Sequence, residues 1–156
     1  MNKKYFIVSY VFVTAFLLAY SSAVQAVCTV LTTPVTFGSY DVFSSSPLDA
    51  EGSITVSCNE NPPSTVVVSI ESSPNSGSFD PRMMKLIAGS DMLEYNFFTD
   101  TSRTQIWGDG SGSTFMQSRR VHKNKPWTQP VYGRIPPLQD ASAGSYNETV
   151  TVTINW

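Results

Sequence analysis

Two cysteines, Cys28 and Cys58, and one histidine, His122, are the residues of this 156-residue chain best suited to do chemistry. A Ser-His-Asp relay would have to pass through His122, which sits in the run Arg119-Arg120-Val121-His122-Lys123-Asn124-Lys125. Cations crowded around an imidazole disfavour the imidazolium that such a relay must form. Neither cysteine belongs to a CxxC or has a histidine beside it, so the ligands of a zinc site are lacking. Gly108-Asp109-Gly110-Ser111-Gly112 has the glycines of a phosphate-binding loop. It lacks the Lys-Ser/Thr ending and the following helix, and reads as a turn. Asp100 and Asp109 do not keep the spacing of a calcium loop. The expectation is a protein without catalysis, metal, cofactor or small-molecule substrate.

What must position these residues is an exported chain. Asn2-Lys3-Lys4 is a short cationic start, Tyr5 to Tyr20 is almost wholly apolar, and Val24-Gln25-Ala26 has the small-residue ending of a cleavage site. That is a secretory leader over residues 1–26, and its apolar run of about 16 residues falls short of the ~20 that span a bilayer. Cleavage after Ala26 leaves one domain over residues 27–156. Loss of Lys3 and Lys4 takes the formal charge from −2 to −4, which argues against nucleic acid as a partner. In an oxidising compartment a disulfide between Cys28 and Cys58 is the default, against the alternative of a reactive or metal-binding thiol. Closing a loop of about 29 residues would stabilise the fold by roughly 3.5 kcal/mol.

The composition is 41% apolar but only 14% charged, which excludes a disordered polyelectrolyte and a charged coiled coil. Period-two alternation dominates. Ile54, Val56 and Cys58 share a face, as do Val66, Val68 and Ile70, and again Leu93, Tyr95 and Phe97. Thr29 to Thr36 reads as an edge strand kinked at Pro34, Phe79 to Met84 as irregular, and Thr114 to Val121 and Val131 to Ile135 as further strands. Tyr146 to Trp156 is expected to be one strand, with Tyr146, Val150, Val152, Ile154 and Trp156 facing the core. Short strands between turns predict an all-β sandwich. With Trp156 the last residue, the sandwich is expected to lack its last strand and to leave an apolar groove beside those five side chains.

Several motifs then occur in one order. They are Phe37-Gly38-Ser39-Tyr40-Asp41, the run Gly52 to Cys58, Pro81-Arg82-Met83-Met84 and the run Leu93 to Asp100. Ile106-Trp107-Gly108-Asp109-Gly110, Val131 to Pro136, Ala143 to Tyr146 and Thr149 to Val152 complete the series. Together they resemble the spore coat protein U domain family, which includes subunits of archaic, Csu-type chaperone–usher pili. The resemblance implies an immunoglobulin-like, pilin-type sandwich held by a periplasmic chaperone and passed through an outer-membrane usher to neighbouring pilus subunits. In that mode an extended segment of one subunit completes the groove of the next. It also implies that Cys28–Cys58 is the family disulfide between the first two strands. A donor strand needs about ten residues at ~3.3 Å each, and after cleavage only Val27 precedes Cys28. The expectation is a subunit that accepts a strand without donating one, located at the tip of a pilus or in a surface coat. The alternative is a self-complete secreted adhesive module that binds a surface or glycan.

One surface cluster stands apart. Arg119, Arg120, Lys123 and Lys125, followed by Trp127, read first as a solvated basic edge. The functional reading is contact with a polyanionic host or abiotic surface, with Trp127 as apolar anchor.

Overall fold

A computed structural model describes residues 27–62 and 65–156; the expected leader over 1–26 lies outside the described residues. The strands among them are β1 (Cys28–Thr33), β2 (Leu48–Cys58), β3 (Val66–Ile70), β4 (Arg82–Leu86), β5 (Met92–Phe98), β6 (Gln117–Arg119), β7 (Trp127–Ile135), β8 (Tyr146–Asn147) and β9 (Val152–Asn155). No helix appears among the described residues. Six strands form one antiparallel sheet in the order β1-β2-β7-β5-β4-β8, and three form a second in the order β6-β3-β9. Ile54, Val56, Trp127 and Val131 of the larger sheet meet Val66, Val68 and Ile70 of the smaller in one buried cluster around Trp107. The Trp107 indole Nε1 donates to the carbonyl of Val68 at 3.1 Å, which lets so large a ring be buried without an orphaned polar atom. A second cluster, Leu93, Tyr95 and Ile135, fills the other end of the larger sheet.

The alternating faces read from sequence are in place: Ile54, Val56, Cys58, Val66, Val68, Ile70, Leu93 and Tyr95 are all buried. Four expectations need correction. The segment read as irregular carries β4. The stretch Thr114 to Val121 keeps strand geometry only over Gln117–Arg119. Tyr146 to Trp156 is two strands in different sheets, because β8 pairs with β4 and β9 with β3. Trp127 is 3% exposed, so it is a core side chain and no surface anchor. It opens β7 opposite Val56, where alternation sends it inward.

Arg82 is the largest departure from an apolar core. Its side chain is fully buried, with Nη1 donating to Asn96 Oδ1 at 2.6 Å. Nη2 reaches the carbonyls of Trp107 at 2.8 Å, Glu71 at 3.0 Å and Ile70 at 3.3 Å. The rings of Phe79 and Phe97 flank the guanidinium at 5.5 and 5.7 Å. Burial pulls its pKa down from the usual arginine value, yet guanidinium starts so high that it stays charged. On the outer face Asp49 of β2 lies opposite Arg134 of β7 and accepts a two-pronged pair at 2.7 and 2.9 Å. Arg103 adds a third contact at 3.2 Å. The hydrogen bond from Arg134 is the main reason that Asp49 titrates below its ordinary range.

Two outcomes follow for urea unfolding with the disulfide intact. Arg82→Met strands three carbonyls in the core and should lower stability by at least about 3 kcal/mol, since each buried unmet group costs about 1–3; an unchanged midpoint contradicts the network. Because the folded pKa of Asp49 is depressed, its contribution is complete above the unfolded carboxylate pKa of about 4 and drains as pH falls through the folded value. Asp49→Asn should therefore be less stable than the parent at neutral pH, and the gap should narrow on acidification.

Candidate functional site

Among the described residues each sheet ends in a strand with one neighbour: β1 pairs with β2 alone, and β9 with β3 alone. Both lie against the same core cluster, β1 through Val30 and the β9 side through Val150, Val152 and Ile154. Their inward faces lose cover along the strand. On β1, Cys28 is buried, Val30 half-buried and Thr32 exposed. On the other side Val152 and Ile154 are half-buried and Trp156 is 41% exposed. A strand facing a finished core would bury all of these.

A cavity of about 820 Å³ lies where the chain has left β1, over residues 35–43, and before it reaches β9, over residues 141–148. Phe37 and Tyr40 line one wall, Tyr146 and Glu148 the other, and Leu93 and Ile135 form the floor. Of the five groove residues expected from sequence, Tyr146 lines this cavity, while Val150, Val152 and Ile154 line the core between the two edges.

The first wall is laid down by two glycines. A Cβ on Gly52 would meet the Thr33 carbonyl oxygen at 2.5 Å, and one on Gly133 would meet Val35 Cγ1 at 2.6 Å and Phe37 Cζ at 2.8 Å. Their bare backbone on neighbouring β2 and β7 lets residues 33–37 lie flat on the sheet. Beyond that, the Tyr40 hydroxyl donates to the Pro136 carbonyl and accepts from the Gln139 N–H, both at 2.9 Å. The disulfide joins Cys28 to Cys58, direct partners in the β1–β2 ladder.

The second wall depends on Glu148. Its carboxylate accepts from Ser73 Oγ and from the Tyr95 hydroxyl, each at 2.5 Å, and from the Asn75 N–H at 3.2 Å. Burial, and then the neighbouring carboxylate, push the Tyr95 hydroxyl far above its ordinary pKa, so it remains a donor. This inward pull on Glu148 is what splits the expected strand and moves the chain from one sheet to the other. Further on, the Glu71 N–H donates to the Thr151 carbonyl at 2.9 Å and Thr153 Oγ1 to Glu71 Oε1 at 3.0 Å, steadying β9. Sequence reading gave Glu148 no role; its only signal was a carboxylate interrupting an apolar alternation.

The site thus consists of apolar side chains, half covered, beside two strands that each end a sheet. Among the described residues no group of three or more His, Cys, Asp and Glu side chains gathers where a metal could be held. His122 is exposed in a tight turn closed by the Lys125 N–H on its carbonyl. Arg119, Arg120, Lys123 and Lys125 are exposed as well, and Lys123 Nζ lies 2.7 Å from Glu60 Oε1. Arg119 closes β6, on the opposite edge of the smaller sheet from β9, and the other three follow it in a turn whose Asn124 N–H donates to the Cys58 carbonyl. Glu148→Leu removes three hydrogen bonds and should cost about 2–4 kcal/mol, with hydrogen exchange accelerating first over residues 148–152; uniform acceleration would show that Glu148 does not act locally.

The chain matches the family model described as Spore Coat Protein U domain over residues 14–153. It is 30% identical over 128 residues to Protein U of Myxococcus xanthus, covering 77% of this chain and 70% of that protein. Among solved structures it is similar to a chain of the CsuC–CsuE chaperone–tip adhesion subunit pre-assembly complex from the archaic chaperone–usher Csu pili of Acinetobacter baumannii. That match has a TM-score of 0.55 at 24% identity and covers 85% of this chain but 40% of the other, a likeness of fold. With the domain model matched over residues 14–153 and a 30% identical relative matched over 77% of its length, this chain belongs to the spore coat protein U domain family.

Proposed function

We propose that this protein is an exported structural subunit of a chaperone–usher pilus or surface coat, and that its groove accepts an extended strand from another polypeptide. The observation that carries this reading is the pair of edge strands, β1 and β9, lying on one core with inward side chains left half covered. A strand of about ten residues between them would satisfy both open backbone edges and cover Val30, Val152, Ile154 and Trp156. Each large side chain gains up to ~1.5–3 kcal/mol on full burial, less here because several are already partly covered. Such a strand would come first from a periplasmic chaperone, which keeps the subunit soluble, and after passage through an outer-membrane usher from a neighbouring subunit. The residues 1–26 leader supports export to the periplasm and onward to the cell surface. Within the assembly we read the protein as a tip subunit, in keeping with the tip adhesion subunit complex whose fold it shares.

The test is a titration of the purified disulfide-bonded protein with a synthetic peptide of alternating large apolar residues. At a hundredfold excess over Kd the peptide should stabilise the fold by about 2.7 kcal/mol. Ile154→Asp and Val30→Asp, which set a charge on either wall, should each weaken binding at least tenfold. A protein that unfolds cooperatively alone and ignores every such peptide is self-complete, and the strand-accepting role is then wrong.

A further inference from the structure

We infer that the β6 edge is a docking surface for an anionic lipid surface, independent of the groove. Phe115 and Met116, immediately ahead of β6, are 45% and 46% exposed. Neither is a loose loop residue. The Phe115 N–H donates to the Ile106 carbonyl at 2.8 Å and its own carbonyl accepts from the Gly108 N–H at 2.9 Å. Met116 lies across the Gly108–Gly112 turn, close enough that a Cβ on Gly110 would meet its Cε at 2.9 Å. The Phe115 backbone is thus fixed, and both large apolar side chains stay about half open to water.

The same edge then turns cationic. Arg119 closes β6, and the following tight turn carries Lys125. That turn is pinned by the Lys123 N–H on Asn61 Oδ1 at 2.9 Å and the Asn124 N–H on the Cys58 carbonyl at 3.1 Å. Half of the eight Lys and Arg of residues 27–156 fall within residues 119–125, in a region whose formal charge is −4. An acidic protein with its cations gathered on the strand and turn that follow two exposed apolar side chains is complementary to a surface that is itself anionic outside and apolar beneath. A hydrated polysaccharide could satisfy the cations but would leave Phe115 and Met116 nothing to enter, whereas the headgroup boundary of a bilayer meets both. Because β6 and β9 are opposite edges of the smaller sheet, a strand added to β9 leaves the β6 edge open.

The experiment is co-sedimentation of the full disulfide-bonded protein with vesicles of phosphatidylcholine alone or mixed with phosphatidylglycerol. Binding should require phosphatidylglycerol and weaken as salt shortens the screening length. Arg119→Glu/Lys125→Glu should reduce it at least tenfold, since each cation near an anionic membrane contributes about fivefold and reversal doubles that loss in free energy. Phe115→Ser/Met116→Ser should reduce it severalfold at unchanged charge, and circular dichroism should show both variants folded. Equal binding to neutral vesicles, or phosphatidylglycerol binding that survives both variants, overturns the inference. So does binding to dextran sulfate that matches the vesicles and ignores Phe115→Ser/Met116→Ser, which would assign the edge to a polyanion without a membrane.

Discussion

A charged guanidinium sealed inside a small sandwich is the constraint on which the rest of this structure turns. Burying Arg82 calls for acceptors at its guanidinium; its Nε finds none, and those that meet its two amino groups are drawn from several parts of the chain. The carbonyls of Ile70 and Glu71 come from the end of β3, the carbonyl of Trp107 from the centre of the core, and the amide of Asn96 from β5. One side chain therefore sets the distance between the two sheets at the end where apolar packing alone would leave it free to vary. The constraint also reaches the groove. Glu71, held by Arg82, supports Thr151 and Thr153, and Tyr95, one residue from Asn96, supports Glu148.

Edge strands are ordinarily steadied by pairing, and a domain that keeps two of them apart needs other restraints. On the β1 side these are covalent and steric: the disulfide at one end and the glycine floor of Gly52 and Gly133 further along. On the β9 side they are hydrogen bonds to two carboxylates, Glu148 and Glu71. The two walls are thus held by restraints within the chain itself. On the proposed strand-accepting role, a groove shaped in this way would lower the ordering cost of taking up a strand.

Much of this was legible in the sequence, and the exceptions share a cause. Alternation located the buried faces of β2, β3 and β5 because each sets large apolar side chains into the core at every second residue. The pairing of the two cysteines and the ordered motifs of the family were equally direct. What escaped was the placement of polar groups inside. Arg82-Met83-Met84-Lys85-Leu86 lacks β-branched residues, so nothing local marks it as a strand; the register with β5 does. Trp127 follows a basic run and looks exposed until its pairing with Val56 is known. Glu148 sits within a β-branched alternation that local propensity reads as continuous, and only its three donors from Ser73, Asn75 and Tyr95 explain the break. Each miss involves partners distant in sequence, which a reading of neighbours does not supply.

The position of the sulfur bridge has a mechanical meaning. Cys28 and Cys58 are opposite one another at the outer end of the β1–β2 ladder. Tension entering the chain at residue 27 therefore crosses a covalent link into the eleven-residue β2 before it loads the hydrogen bonds of β1. A load applied at that end is carried by the longest of the described strands rather than by the margin of the sheet.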